Sequence, residues 1–444
     1  MNIIVAGMGV VGLHIASVLS ADNLTLIDTS ADSLEKAGDE IDAMTIHGSA
    51  VSERTLRQAG VEQCDLFIAV TDMDEVNIIA AVRAKHLGAK KAIARVTDRV
   101  YFEGEHGLYT DMFGIDLVIN PKFLVALEIH KLIRTRGAVA VEDFANNQIE
   151  MVQLPIEKAT KGTNRPLQDV KMPDNVRIAG IVRHGELLIP HGGDQIRVGD
   201  DVLCIGKIDD IPKVEHLFGR ERHRDTRYVI VVGGGDIGLA LARYLEADNV
   251  DVRIIEKDRD RCERLQEELT GRHTEVLHGD GTNAHLLQEL SIPTCDVFVA
   301  VSQKDEVNLM ASLLAKEMRA QSCISLVHRP DFTQILKRLG IDSTLSPRVL
   351  VAREVLKHVG ATDVLQVASI MDGQGEFMEF VVSKDARIAN RPLKDVNFPR
   401  GAMVCAVFGD GQAFIARGDT VFEPGQRVVV ITKPKVRKAV ERLF

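Results

Sequence analysis

The chain repeats itself almost end to end. Val5-Ala6-Gly7-Met8-Gly9-Val10-Val11-Gly12 returns as Val231-Val232-Gly233-Gly234-Gly235-Asp236-Ile237-Gly238. Cys64-Asp65-Leu66-Phe67-Ile68-Ala69-Val70 returns as Cys295-Asp296-Val297-Phe298-Val299-Ala300-Val301, and Asn164-Arg165-Pro166-Leu167 as Asn390-Arg391-Pro392-Leu393. Each copy stands about half a chain from its partner, far beyond the ~20–50-residue period of a solenoid. With 444 residues and about 100–200 residues per domain, the duplicated unit holds two domains and the chain four.

The composition is that of a globular protein, with 45% apolar and 27% charged residues. A net charge of −10 opposes nucleic acid as a general partner, which calls for a basic face. No apolar run approaches the ~20 residues of a membrane span, and a strand beginning at Asn2-Ile3-Ile4 leaves no room for a signal peptide. Six cysteines are scattered without a Cys-x-x-Cys pair, so neither a zinc site nor a disulfide framework is expected, and a reduced cytoplasmic setting fits.

Each half opens on strand–helix alternation. Ile3-Ile4-Val5-Ala6 reads as a buried strand, Val10 to Leu19 as a helix, and Leu24-Thr25-Leu26-Ile27 as a second strand closing on Asp28. Further strands fall near residues 44–46, 66–70, 92–96 and 117–119, with helices near 53–58 and 75–87. Residues 228 to about 346 repeat the pattern, which specifies a parallel, doubly wound α/β sheet. In this setting Gly7 makes a tight turn, Gly9 lets a pyrophosphate approach the backbone, and Gly12 lets helix and sheet close up. Gly233, Gly235 and Gly238 repeat those positions around Gly234, Asp236 and Ile237. Helix-start amides favour a phosphate. Asp28 and Glu256 stand about twenty residues on, where an acid accepts from a ribose 2′-hydroxyl and repels a 2′-phosphate. Both halves therefore point to NAD or another unphosphorylated adenosine ribose.

The clefts are not equal. Arg95 closes the fifth strand of the first copy and aligns with Leu326 of the second. Asp236 replaces Val10, as a helix-start cap or as a charge repelling phosphate. His47 and His278 are expected to pack beneath the site, with Ser49 and Asp280 better placed to face adenine or ribose. Thr71 and Asp72, like Ser302, follow the fourth strand, where ligand crevices open. Asp74-Glu75-x-Asn77 and Asp305-Glu306-x-Asn308 read as helix starts, with a metal site as the alternative.

After each of these domains comes a proline and an apolar stretch: Phe123, Leu124, Val125, Leu127, Ile129, Leu132 and Ile133, then Val349, Leu350, Val351, Val355, Leu356 and Val359. A helix apolar on more than one face needs burial on several sides. It packs on its own sheet and the next domain, or crosses to a neighbouring nucleotide domain. Residues 138–218 and 361–444 read as small modules of about four or five short strands, too slight for a substrate pocket. Strands are expected at 151–156, 178–182, 187–189 and 202–205, and in the copy at 377–382, 402–407, 413–415 and 427–431. The basic stretch 219–227 reads as a solvated tether.

With these elements in order, the chain resembles the RCK (KTN) family, which regulates potassium transport. The resemblance rests on the doubled glycine fingerprints with Asp28 and Glu256, Ala-Val-Thr/Ser plus Asp-Glu-x-Asn after the fourth strand, the Asn-Arg-Pro-Leu modules, and Arg95 against Leu326. It implies two tandem Rossmann-like RCK-N domains (residues 1–137 and 228–360), each followed by a small α+β RCK-C domain (138–218 and 361–444). It also implies a homotetrameric ring beneath a membrane-embedded TrkH- or TrkG-type potassium transporter, responsive to NAD, NADH, ATP or ADP. Nucleotide contacts would fall at Gly7, Met8, Gly9, Val10, Val11, Gly12, Asp28, Ser49, Thr71, Asp72 and Arg95. In the second half they would be Gly233, Gly234, Gly235, Asp236, Ile237, Gly238, Glu256, Asp280 and Ser302. The alternatives are an NAD-dependent oxidoreductase, for which the small modules offer no acid–base or nucleophile set, and a stand-alone nucleotide sensor. No catalytic or metal-binding residue is assigned.

Overall fold

A computed structural model of the chain describes residues 1–19, 23–102, 114–134, 140–144, 148–218, 226–269, 271–356, 358, 364–370, 374–409 and 411–444. Most of the expected tether, residues 219–225, lies outside the described residues.

The first unit runs β1 (Asn2–Ala6), α1 (Val10–Val18), β2 (Asn23–Asp28), α2 (Ala31–Glu40), β3 (Met44–His47), α3 (Glu53–Gln58), β4 (Leu66–Ala69), α4 (Asp74–His86), β5 (Lys91–Arg95), β6 (Leu117–Ile119) and α5 (Pro121–Arg134). Its strands pair in parallel in the order β3-β2-β1-β4-β5-β6. β1 and β4 are buried throughout except at Asn2, as strands covered on both faces must be. The order reverses between β1 and β4, so a crevice opens at their carboxyl ends, where the glycine turn lies.

A five-stranded antiparallel sheet follows, of β7 (Ala140–Phe144), β8 (Ile149–Pro155), β9 (Val176–Arg183), β10 (Glu186–Leu188) and β11 (Asp201–Lys207), with α6 (Ile211–Leu217) closing the module. Asn164 adopts φ +57°. That turn sets Pro166 and Leu167 against the loop at Asp194 and Gln195, so Asn-Arg-Pro-Leu is a docking turn.

The second half repeats both layers. Its parallel sheet holds β12 (Tyr228–Val232), α7 (Asp236–Ala247), β13 (Asp251–Glu256), α8 (Arg259–Glu268), β14 (Thr274–His278), α9 (Ala284–Glu289), β15 (Val297–Ala300), α10 (Asp305–Glu317), β16 (Cys323–Leu326), α11 (Pro330–Arg338), β17 (Ser343–Leu345) and α12 (Pro347–Leu356). The last sheet comprises β18 (Val364–Ile370), β19 (Gly375–Val381), β20 (Ala402–Gly409), β21 (Gln412–Ile415) and β22 (Arg427–Thr432), followed by α13 (Arg437–Glu441). β7 and β18 lie at sheet edges and were not among the strands expected from the sequence.

The apolar helices α5 and α12 exchange places. Val125, Ala126, Ile129, Leu132 and Ile133 of α5 join one core with Leu239, Leu241, Ala242 and Leu245 of the second nucleotide-type domain and with Val152, Leu154 and Cys204 of the first small sheet. Val351, Ala352 and Val355 of α12 join Ile15 and Ala16 of α1 in the first domain. The two crossing helices also pack against each other. Burying each branched side chain stabilises by about 1.5–3 kcal/mol, so a handful binds the halves by an amount comparable with the ~5–15 kcal/mol of a whole domain. The crossing is made within one chain.

Where α5, α12 and β7 meet, Arg353 bridges Glu128 and Glu142, both at 2.8 Å. Burial alone would lower the Arg353 pKa. The two carboxylates override that and hold the guanidinium charged. Beyond this junction the small sheets face each other. Phe144, Met151, Leu203 and Ile205 share a core with Phe377, Cys405, Val429 and Ile431, and the Phe144 and Phe377 rings stand 5.5 Å apart.

Candidate functional site

In the first cleft the glycines divide their work as steric need requires. Gly7 has φ +99°, and a Cβ there would lie 2.7 Å from the Thr71 nitrogen. A Cβ on Gly12 would lie 1.7 Å from the Gly7 oxygen. Gly9 meets nothing within 4 Å, so its bareness serves open space in front of the loop. Val10, Val11 and Gly12 begin α1, which has neither a side-chain cap nor an acid in its first turn. Its first-turn amides thus have no intrahelical acceptor and can receive an anion. Asp28 lies behind the loop. One carboxylate oxygen accepts from the Met8 amide at 2.5 Å and the other from the Ser30 amide at 2.8 Å, leaving further lone pairs for a hydroxyl.

The opposite wall is built by Asn77, which is fully buried. Its oxygen accepts from the Thr71 amide (2.8 Å) and hydroxyl (2.7 Å). Its amide donates to the carbonyls of Thr71 (3.0 Å) and Arg95 (2.9 Å). The ends of β4 and β5 are thereby clamped, with Asp72 exposed beside them. Arg95 donates through Nη1 to the Thr71 carbonyl at 3.3 Å, while its buried Nε has no hydrogen-bond partner. Burial lowers the Arg95 pKa against the opposing pull of Asp74 and Asp72. A cation with an orphaned donor at the crevice mouth suits a phosphate. Ser49 is half-buried on the turn after β3.

The second cleft has the same backbone. Gly233 has φ +109°, a Cβ on Gly238 would lie 2.1 Å from the Gly233 oxygen, and Gly235 meets nothing within 4 Å. Glu256 accepts from the Gly234 amide (2.7 Å) and the Asp258 amide (2.8 Å). Asn308 clamps Ser302 and the Leu326 carbonyl as Asn77 clamps their counterparts. The side chains differ. Leu326 is buried and brings no charge. Asp280 is bound by Lys257 at 2.8 Å and by the Thr282 hydroxyl at 2.7 Å, which hold its carboxyl far below the usual range. Ser302 donates its hydroxyl to the Lys304 carbonyl.

At Asp236 the structure removes one of the two sequence readings, the helix cap. The residue makes no cap; the cap position is Gly235. Its carboxylate meets Lys122 Nζ of α5 at 2.5 Å and Arg261 Nη2 of α8 at 3.8 Å. Ile237 follows it in the first turn of α7. Lys122 and Arg261 were not singled out from the sequence. The histidines depart from expectation too. His47 and His278 are exposed and meet the carbonyls of Thr29 (2.9 Å) and Lys257 (3.1 Å), tying the turn that follows the acid. Asp74 accepts from Thr97 and Asp98, and Asp305 from His328 and Arg329. These acids fasten loops, and among the described residues no cluster of three His, Cys, Asp or Glu could hold a metal.

Models of the TrkA-N domain match residues 3–121 and 229–347, and models of the TrkA-C domain match residues 151–219 and 377–444. The chain belongs to the TrkA family. Relatives along its whole length include the Trk system potassium uptake protein TrkA of Halomonas elongata, 35% identical over all of this chain and 98% of that protein. TrkA homolog 1 of Methanosarcina mazei is 33% identical over all of both. Among solved structures, the GsuK RCK domain superposes with a TM-score of 0.61 at 15% identity, covering all of this chain and 94% of that one. A GsuK channel bound to NAD gives 0.62 at 14% identity over all of this chain and 78% of that one. The family matches and these folds agree on tandem Rossmann-like and small α/β layers.

Proposed function

We propose that this chain is the cytosolic, nucleotide-binding regulatory subunit of a potassium uptake system, gating a membrane-embedded TrkH- or TrkG-type partner as a homotetramer. Full-length similarity to proteins named for Trk potassium uptake supports the system. No described helix is long and apolar enough to cross a membrane, so the action proposed is on a partner's pore.

The observation that carries the nucleotide reading is the first cleft: open space before Gly9, uncapped α1 amides, Asp28 behind them and the orphaned Nε of Arg95 opposite. NAD or NADH suits this set, with ATP or ADP sharing the adenosine and phosphate chemistry. The α1 amides and Arg95 would hold phosphate oxygens, Asp28 a ribose hydroxyl, and Ser49, Thr71 and Asp72 the rim. The bound group supplies no bond-making chemistry in this role. It supplies differential binding between two shapes of the ring.

Shifting a gate from 1:99 to 99:1 requires about 5.5 kcal/mol, which several clefts in an assembly can share at about 1–3 kcal/mol each. The exchanged helices α5 and α12 give the mechanical route, since movement of one nucleotide-type domain must displace a helix rooted in the other. The test is potassium flux in vesicles reconstituted with the partner. Flux should respond to nucleotide and lose that response in Asp28→Ala; a response unchanged by that substitution refutes the reading.

A further inference from the structure

The second cleft differs from the first by a matched set of charges. Asp236 stands where the first copy has Val10, and Arg261 stands at the third position of α8 where α2 has Ser33. The acid therefore came with its own cation. Arg261 holds the glycine loop by donating from Nε to the Gly234 carbonyl at 2.7 Å, and its buried Nη2, which has no hydrogen-bond partner among the described residues, stands 3.8 Å from Asp236. The remaining cation comes from the other half. Lys122 reaches from the start of α5 to within 2.5 Å of the opposite Asp236 oxygen.

The network continues beyond the loop. Glu268, at the end of α8, takes Arg261 at 3.6 Å, Arg243 at 3.1 Å and Arg99 at 2.7 Å. Arg99 belongs to the first half, four residues past Arg95. Lys122 is rooted there as well, for its amide donates to the Asn120 side chain, and that side chain reaches the Thr97 carbonyl. Two cations of the first nucleotide-type domain thus grip the second glycine loop and the helix beside it.

We propose that Asp236 is a tethered anion that excludes a dinucleotide pyrophosphate from the second cleft and latches α7 to the first half through Lys122. The reasoning is electrostatic. A carboxylate at the first position of α7 takes the favourable helix-start potential and the two nearest cations, which are the groups an incoming phosphate would need. A pyrophosphate entering there would meet a fixed negative charge. Asp236 is then a specificity-determining residue that makes the duplicated clefts do different work: the first takes ligand and the second holds the halves together. This rests on the nucleotide reading of the first cleft.

The experiment titrates the full-length chain calorimetrically with NADH, alongside hydrogen exchange at the starts of α5 and α7. Asp236→Val, the first copy's residue, should raise the stoichiometry from about one to about two nucleotides per chain. In a Gly9→Asp background, where the first cleft is blocked, Asp236→Val should restore binding. Exchange at both helix starts should quicken about tenfold on losing the latch, and Lys122→Met should quicken it as well. A stoichiometry unchanged by Asp236→Val, or a wild type already binding in both clefts with equal affinity, overturns the exclusion. Should the wild type bind no adenine nucleotide, the reading of the first cleft fails. The latch is then judged on exchange alone, and exchange unchanged by Asp236→Val overturns it.

Discussion

The two glycine-turn clefts share one backbone and have divergent electrostatics. In each, a glycine with positive φ abuts the end of the fourth strand, a helix-start glycine closes on it, and a buried asparagine clamps two strand ends. What changes is charge. The first presents Arg95 with an orphaned donor, opposite an uncharged helix start. The second replaces that cation by leucine and places an acid already bound by Lys122 and Arg261. A few side-chain changes on an unaltered frame separate the two arrangements, so duplication preserved the fold while altering the charge at the second glycine loop.

The sharpest way to break this contrast is at the glycines that face open space. Gly9→Asp should weaken NADH binding by about a hundredfold or more, because it sets a carboxylate where the helix start would receive phosphate; Gly235→Asp should leave calorimetric affinity nearly unchanged. Equal losses would mean equal clefts. Next in size is the asymmetric junction of the crossing helices. Arg353 aligns with Leu127 of the first half, so Arg353→Leu asks what that charge is worth. It leaves Glu128 and Glu142 without their shared cation, and denaturant unfolding should show a loss of about 3 kcal/mol.

A smaller effect separates the fifth strands. Arg95→Leu should lower nucleotide affinity about tenfold, ~1.4 kcal/mol, and Leu326→Arg should confer none while Asp236 keeps its partners. The smallest concerns the loop-fastening acids. Burial would raise the Asp305 pKa, but amide donors from His328 and Arg329 outweigh it and bring it below the usual value. A depressed folded pKa contributes stability that is full above the unfolded value near 3.9 and is lost as pH falls through the folded one. Asp305→Asn should therefore cost about 1 kcal/mol at neutral pH, with the gap from wild type closing below about pH 4 in thermal melts.

Much of this was legible before any coordinates. Glycine spacing, strand-ending acids and doubled apolar runs announce the parallel sheets, because those signals are local. The excess greasiness of α5 and α12 announced a helix needing more than one neighbour. Of the two readings of Asp236 the cap fell, and its ion pair with Lys122 was not foreseen, because Lys122 lies in the other half of the chain and no local pattern carries that pairing. β7 escaped notice since Ala140–Phe144 carries Glu142 and an adjacent aspartate, a composition poor for a strand, and edge strands owe their place to pairing with a neighbour. His47 looked like core by its position beside a strand end, yet its ring serves a single carbonyl at the surface.

The exchange of helices has a consequence for how the molecule is made. The apolar side of α1 leaves the ribosome early, yet Val351, Ala352 and Val355, which cover it, emerge only after most of the chain is synthesised. At about 5–20 residues per second, that surface waits on the order of 20–70 s for its lid. The amino-terminal lobe is begun first yet stays incomplete until most of the chain has been made, so a gene cut between the halves should yield two sticky fragments that become soluble only when produced together.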